Sequence, residues 1–389
     1  MLPRERVFAA LDHREGDRIP WGEHWIDYNV FEDILGRPTL CHAKMRETQA
    51  MWDGRRDEVV ADKKRDILDI VRALDMDIVM VYRVQPADFV PEPMEQLDDV
   101  TYRNARGDLY RISATTHDLM PFEINRDAWE MPTLEYFEKC IDDIDREIRP
   151  PEDSCWELVR HAVREMKDTH FIMMCCGDVS WPTVGATMED QMMNLLLEPE
   201  LCRKQNEYVG KKLLREMEVY AALGLDGITP CGDLGTSTGL FASPDLYHDM
   251  ISPWSHAMAD KAHALGLRIL KHCCGHTWPV IDDLADVYDG YEGIQATAGM
   301  DIAKLKQRVG ERLTLWGGIW HEHIILGTLA DIRADAAYAF EHAAPGGGFI
   351  MGSTHSLAVD AKRENILEMK RCRDTWGAYP IDAKRFVRG

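Results

Sequence analysis

Short apolar runs alternate with longer amphipathic segments along most of the 389-residue chain. Runs suited to strands begin near residues 19, 77, 171, 227, 268, 293, 313 and 348. Several, such as 77–82 and 171–177, are almost continuously apolar, which is typical of parallel strands buried on both faces. The amphipathic segments predict helices at 4–11, 57–74, 153–166, 187–196, 198–223, 243–265, 277–287, 300–309, 328–343 and 361–376.

Eight strands separated by helices predict an α/β fold of the (β/α)8 TIM barrel type. We expect residues 1–389 to form a single domain, with an N-terminal extension and an inserted hairpin and helical segment at about 98–150. The hairpin is predicted at 98–118, around Arg106-Gly107. An open doubly wound sheet is the alternative. It is disfavoured because no Gly-x-Gly-x-x-Gly turn follows an early strand.

Composition and charge narrow the functional classes. The net charge of −22 argues against nucleic-acid binding, which needs clustered Lys and Arg. No run of about 18 apolar residues is present, so no membrane span is expected. The N-terminus is charged and no apolar segment follows it, so no secretory signal is expected. The ten cysteines are irregularly spaced, which together with the missing signal indicates reduced thiols and a cytoplasmic location. The sequence does not decide between a monomer and a homodimer.

Residues able to bind metal or to titrate collect at the predicted C-terminal ends of the strands, where TIM barrels carry their active sites. These positions are Glu23, His24, Tyr82, Arg83, Cys176, Asp178, Cys231, Asp233, His272, Cys274, Gln295, Trp320, His321, His323 and His355. So many such groups at one barrel mouth favour a catalytic or metal site over a structural role.

The segment 268–276 carries the most specific signal. Side chains two apart in a strand share a face, so His272 and Cys274 point the same way. An imidazole and a thiolate on one face form half of a zinc site, although a cysteine packed in the core and a hydrogen-bonded histidine would give the same pattern. His355 is the predicted third ligand, and Asp233 or a water the fourth. Cys175 and Cys176 are weaker candidates, because adjacent thiols point to opposite faces.

The chain resembles the uroporphyrinogen decarboxylase superfamily and, within it, the zinc-dependent, corrinoid-linked methyltransferases. The resemblance runs from Arg4-Glu5-Arg6-Val7 and Asp17-Arg18-Ile19-Pro20 to the last helix. It is most specific in 232–235 with 241–244, 272–275, 315–319, and 345–350 leading to 364–366. It implies an elongated (β/α)8 barrel.

In the methyltransferase branch, a His-x-Cys on strand five and a Cys on strand eight bind zinc. The resemblance assigns the first two positions to His272 and Cys274. His355 stands where the third ligand, a Cys, is expected. Decarboxylase-like members also carry a histidine near this position without metal, so the resemblance leaves the third ligand open.

The segment after strand one distinguishes the two branches. Residues 21–29 contain no arginine, and Glu23 and Asp27 would repel a polycarboxylate tetrapyrrole. Trp21, Trp25 and Tyr28 could instead face an aryl methyl ether or a methylammonium group, or could pack under the barrel lip.

These observations predict a zinc-dependent enzyme that moves a methyl group between a small methylated substrate and a corrinoid. The corrinoid is expected on a separate partner protein, because the chain has no Asp-x-His-x-x-Gly pattern. The predicted catalytic residues are Asp233 and Glu23, and the predicted substrate-binding residues are His24, Trp21, Trp25, Tyr28, Tyr82 and Gln295. A decarboxylase-like lyase and a non-catalytic binding relative are the alternatives.

Overall fold

The computed structural model describes residues 1–386. The helices are α1 (Pro3–Leu11), α2 (Tyr28–Leu35), α3 (Met45–Trp52), α4 (Arg56–Leu74), α5 (Leu134–Asp142), α6 (Ile144–Glu147), α7 (Glu157–Met166), α8 (Met188–Leu197), α9 (Pro199–Ala222), α10 (Pro244–Met250), α11 (Ser252–Ala264), α12 (Ile281–Val287), α13 (Ile302–Val309), α14 (His321–Ile325), α15 (Leu329–His342) and α16 (Arg363–Trp376). Short 3-10 turns lie at Arg126–Ala128, Ser154–Trp156, Trp278–Val280, Ala296–Ala298 and Ala383–Arg385.

The strands form two separate sheets. They are β1 (Ile78–Val81), β2 (Glu95–Gln96), β3 (Thr101–Arg103), β4 (Leu109–Ile112), β5 (Leu119–Glu123), β6 (Phe171–Cys176), β7 (Gly227–Pro230), β8 (Arg268–His272), β9 (Gly290–Glu292), β10 (Thr314–Ile319) and β11 (Phe349–Ser353). The larger sheet is parallel, in the order β1-β6-β7-β8-β9-β10-β11, and the smaller is the antiparallel sheet β2-β3-β4-β5. The α/β barrel class is therefore confirmed.

A short extended segment, Pro20–Gly22, closes the barrel between its first and last strands. Met351 N donates to Pro20 O at 2.8 Å and Gly22 N donates to Met351 O at 3.1 Å, while Asp77 N donates to Trp21 O at 2.7 Å. The segment makes one isolated bridge, between Trp21 and Met351, rather than a regular strand. An extended segment therefore lies where a strand was predicted near residue 19, but it is too short to pair as a regular strand.

Three other predicted elements need correction. The strand predicted at 293–296 lies at Gly290–Glu292 and ends where Gly293 takes a φ of +87°, outside the extended region. The helix predicted at 243–265 is two helices, α10 and α11, interrupted at Ile251 just before Pro253. His321 and His323, predicted at the C-terminal end of a strand, lie in the short helix α14 that follows β10.

Two hydrophobic layers hold the barrel. The outer face of the parallel sheet packs against the surrounding helices. The inner face has its own cluster at the N-terminal end of the barrel, where Val7 and Leu11 of α1 meet Phe171, Leu270 and other strand residues. The first helix therefore plugs one end of the barrel, and the open end is the one formed by the C-terminal strand tips.

The insertion between β1 and β6 begins with the small antiparallel sheet and continues through α5 and α6. The predicted hairpin around Arg106-Gly107 is present as β3 and β4, extended by β2 and β5 on its two sides. No helix within residues 1–386 has the length and apolar character needed to cross a membrane.

Candidate functional site

The His-x-Cys pair lies at the tip of β8. His272 ends the strand with its side chain on the interior face, and Cys274 follows in the loop. The Cys274 Sγ lies 3.9 Å from the His272 Nε2. Asp233, at the tip of β7, contributes a carboxylate oxygen within 4.8 Å of both ligand atoms. Two adjacent strand ends thus bring an imidazole, a thiol and a carboxylate together.

The geometry suits a tetrahedral zinc ion. Bonds of about 2.0 Å to nitrogen and 2.3 Å to sulfur place the two ligand atoms roughly 3.6 Å apart. The observed 3.9 Å needs only a small side-chain adjustment. Burial raises the pKa of the Cys274 thiol, and the neighbouring Asp233 carboxylate adds to this effect. A bound cation would reverse that effect, because metal coordination deprotonates a thiol outright.

Glu292 at the tip of β9 fixes the orientation of His272. One Glu292 carboxylate oxygen hydrogen-bonds His272 Nδ1, which leaves Nε2 facing Cys274. Burial raises the pKa of Glu292 to about 8 and lowers the pKa of His272 to about 4. Without metal, both shifts favour the uncharged pair, in which Glu292 donates its proton to Nδ1. A cation on Nε2 would favour the other arrangement, in which Nδ1–H donates to an ionised Glu292 carboxylate. Metal-binding histidines commonly use their second nitrogen in this way.

His355 follows β11 and reaches the same mouth at a greater distance. Its ring centroid lies 5.8 Å from that of His272, in an edge-on arrangement. Its Nδ1 is 3.0 Å from Ser356 Oγ. Among residues 1–386, His355 belongs to no group of three ligand atoms within 4.8 Å of one another, whereas Asp233 does. Its role as third zinc ligand stays a prediction, and Asp233 is better placed.

Glu23, a predicted catalytic residue, is buried behind the mouth and is 4% exposed. It accepts hydrogen bonds from Trp21 Nε1 at 2.7 Å and from Ser353 Oγ at 2.7 Å. Burial raises its pKa to about 7. These contacts tie the closing segment to β11. The other predicted catalytic residue, Asp233, is exposed and accepts from Cys274 N at 2.8 Å.

A cavity of about 410 Å³ opens directly onto the histidines. Its lining combines barrel residues with residues from the N-terminal segment and from the turn between β4 and β5: His24, Trp25, Asp27, Lys44, Thr115, Thr116, Asp118, His272, His321, Ile325, His355, Ser356, Ala358 and Val359. Lys44 Nζ bridges Asp27 at 2.8 Å and Asp118 at 3.2 Å. The insertion therefore forms one wall of the mouth.

The predicted substrate-binding residues divide into two groups. His24 and Trp25 line the cavity, and the Trp25 ring stacks on His42 at 3.8 Å. The structure does not bring the other four to the cavity lining, and each has a different contact: Trp21 is fully buried in the core, Tyr28 OH pairs with His117, Tyr82 packs beside Trp25, and Gln295 Oε1 accepts from Gly275 N.

Other candidate strand-tip residues have contacts away from the His272 and Cys274 cluster. Lys271 and Asp178 form a buried ion pair that contains none of the candidate ligands. Cys176 packs against the outer hydrophobic layer, while Cys175 lies on the inner face, as expected for adjacent thiols. His323 pairs with Asp335 at 2.8 Å and stacks on Trp320.

Sequence reasoning missed Glu292 and Lys44. Glu292 was overlooked because the strand was predicted three residues too late, although Gly290-Tyr291-Glu292 is a short strand run ending in a carboxylate. Lys44 carries no motif. Its place at the mouth depends on the fold of the N-terminal extension and of the insertion.

Comparison with known proteins identifies the family of the chain. The family model described as uroporphyrinogen decarboxylase (URO-D) matches residues 124–376. A comparison with curated proteins gives no match. Among solved structures, a methyltransferase from Methanosarcina mazei is similar over 96% of this chain and 98% of that chain, with a TM-score of 0.65 and 15% identity. At this identity the likeness supports the fold alone.

A second solved structure is similar only in outline. A B12-independent methionine synthase from a Shewanella species covers 81% of this chain and 88% of its own, with a TM-score of 0.37 and 10% identity, which is too low to support an argument. The family match, by contrast, extends over more than half of the sequence and includes β6 to β11 with the His272 and Cys274 tip. The chain belongs to the uroporphyrinogen decarboxylase family.

Proposed function

We propose that the protein is a zinc-dependent methyltransferase that moves a methyl group between a small methylated substrate and a corrinoid carried on a separate protein. The observation that carries the proposal is the cluster of His272, Cys274 and Asp233, with Glu292 behind the imidazole, at the open end of the barrel. Clusters of this composition bind zinc in proteins, and three protein ligands leave one coordination position free.

The chain's own residues have separable roles in this proposal. His272 Nε2, Cys274 Sγ and an Asp233 oxygen would hold the ion, and Glu292 would keep the imidazole in the tautomer that presents Nε2. When bound, zinc supplies Lewis acidity and a position where a thiol binds as thiolate. His355 and His321 line the cavity next to the cluster, within reach of a substrate.

The cavity favours a small substrate. Its volume of about 410 Å³ lies at the lower end of the range for small-molecule sites. Asp27 and Asp118 share the single lysine of the lining, Lys44. A substrate with several carboxylates would therefore meet little positive charge. Trp25 lines the cavity, and an aromatic side chain there suits an aryl ether or a methylammonium group.

The test mixes the purified protein with a reduced corrinoid protein from the same source and a panel of methyl ethers, methylamines and methyl thioethers. Formation of methyl–cobalt is followed by its visible spectrum. We expect transfer by wild type and loss in His272→Ala. His276→Ala is the matched control, because His276 bonds the Ala298 carbonyl at 2.9 Å and belongs to no ligand group among residues 1–386. Equal transfer by wild type and His272→Ala would refute the zinc mechanism.

Decarboxylation is the second candidate, because the matching family model carries that description. It predicts release of carbon dioxide from an organic acid and no dependence on metal. The same preparations distinguish the two. Carbon dioxide release that survives removal of zinc, with no methyl transfer to or from cobalt, would replace the methyltransferase proposal.

A further inference from the structure

We infer that a second site for a thiophilic cation lies beside the first, formed by His24, Cys175 and Cys231. Their three ligand atoms lie within 4.8 Å of one another. The ion expected there is Zn2+, and Cd2+ is a spectroscopic substitute with the same preference for sulfur.

The three residues come from three neighbouring parts of the barrel. Cys175 lies on the inner face of β6, on the same face as Phe171 and Met173 of the interior cluster. Cys231 follows β7 directly and forms a bridge with His272 of β8. His24 follows the closing segment. Each is therefore positioned by backbone that is itself hydrogen-bonded into the barrel.

The distances leave room for an ion after a modest movement. Cys231 Sγ lies 3.8 Å from His24 Nε2 and 3.1 Å from Cys175 Sγ. Tetrahedral zinc would place sulfur and nitrogen roughly 3.6 Å apart and two sulfurs roughly 3.8 Å apart. The nitrogen is already in place, and the sulfurs need to separate by about 0.7 Å, which a rotation of one thiol can provide.

The environment of His24 points independently to a ligand. Its Nδ1 is buried without a hydrogen-bond partner among residues 1–386. Its Nε2 lies 3.8 Å from the weakly polar sulfur of Cys231, and its ring stacks on that of His272 at 4.1 Å. Buried polar atoms normally have a partner. A cation on Nε2 would replace this weak contact with a strong one, and Nδ1 would carry the ring proton.

Charge balance favours occupation of both sites. Two thiolates offset the charge of one divalent ion, so the second site adds no net charge to the barrel interior. His24 also approaches His272 and Glu292. That pair is already joined through Nδ1 and a carboxylate oxygen. The two cysteine sulfurs instead contact each other, and Cys231 Sγ also lies 3.2 Å from Thr229 O. With His24 assigned to the two cysteines, the two sites use separate ligand atoms.

A disulfide between Cys175 and Cys231 is the competing use of the same sulfurs. Its formation would remove two protons and two electrons to an external oxidant and would give His24 no role. The inference of a cation site does not depend on methyl transfer, and its tests read metal and thiols rather than activity.

Metal content under anaerobic, reducing conditions is the first test. We expect two zinc ions per wild-type chain, and one in Cys231→Ala, Cys175→Ala or His24→Ala. Cys176→Ala is the matched control, because Cys176 is the neighbouring thiol on the opposite face of β6, and it should keep both ions. Loss of the first site in His272→Ala should leave the second occupied. Unchanged zinc in Cys231→Ala would overturn the inference.

Cadmium loading gives a second, structure-specific reading. The ultraviolet thiolate-to-cadmium band should fall by about two thirds in the Cys175→Ala, Cys231→Ala double variant and by about one third in Cys274→Ala, because each bound thiolate contributes to it. If a variant fails to fold, the wild-type protein still decides. Cys175 and Cys231 should resist alkylation when loaded with metal and react after chelation. Reactivity unaffected by metal, or protection removed only by a reductant, would refute the site.

Discussion

Glu292→Gln tests whether the carboxylate behind His272 controls metal binding. The amide has two ways to replace the carboxylate. It can accept from Nδ1–H as a neutral and weaker acceptor, or donate to Nδ1 and drive the imidazole proton onto Nε2, the atom that would bind zinc. Loss of such a partner costs about 10–100-fold in metal affinity, or about 1.4–2.7 kcal/mol. Because Glu292 is 1% exposed, solvent cannot screen the change, and we expect the upper end of this range.

The assay is a zinc titration against a chromogenic chelator, in Cys231→Ala protein so that the His272 site is read alone. Glu322→Gln is the control, because Glu322 is a glutamate at the same end of the barrel that accepts from Thr297 Oγ1 at 2.9 Å. It should keep its affinity. Unchanged zinc affinity in Glu292→Gln would refute the role of Glu292 in orienting His272. Equal losses of affinity in both variants would show that the loss comes from the change in net charge alone.

Three further outcomes are expected. Asp233→Ala should weaken zinc binding more than His355→Ala does, since of these two residues only Asp233 has a ligand atom within 4.8 Å of those of His272 and Cys274. Chelator competition ranks the two variants, and the reverse order would make His355 the third ligand. Burial raises the pKa of Asp335 to about 6, from 3.8, so its folded form keeps a proton that the unfolded form loses. The stabilisation that comes from protonated Asp335 is present below about pH 4 and is lost as the pH rises to about 6. Asp335→Asn does not titrate, so in urea unfolding its stability should gain up to about 3 kcal/mol relative to wild type over that pH window. A stability difference that does not change with pH would contradict this. Gly352→Ala would place a methyl group 2.6 Å from Gly22 O and should lower the free energy of unfolding by about 1–3 kcal/mol in the same assay. A variant as stable as wild type would show that the closing segment and β11 are not tightly packed here.

The fold could be predicted because its parallel strands are buried on both faces and therefore appear as apolar runs. Thr314–Ile319 is a clear example, with every residue buried. The closing segment Pro20–Gly22 could be located but not classified, since its two partners are distant in sequence. The break at Ile251 was missed, because Pro253 at the start of a second helix looks the same as a proline tolerated in one long helix.

The site was predictable to the extent that side-chain alternation fixes it. His272 and Cys274 could be paired because side chains two positions apart in an extended chain share a face, and Cys274 lies just beyond the end of β8. Choosing between His355 and Asp233 needed the relative positions of two strand tips, which the sequence does not contain. Trp21 was assigned to substrate from its residue type, but the chain direction after Pro20 turns it into the core.

The way the barrel closes has a consequence for the order of folding. Glu23 and Ser353 are 330 positions apart, and their bond belongs to the seam between the closing segment and β11. Contacts of such sequence separation form late, because the intervening chain must be gathered first. During synthesis the seam cannot form until β11 has left the ribosome. His24, which follows the seam, would be fixed only after β11 is in place. A nascent chain stalled before residue 349 could therefore present Cys175 and Cys231 but not the complete second site proposed above.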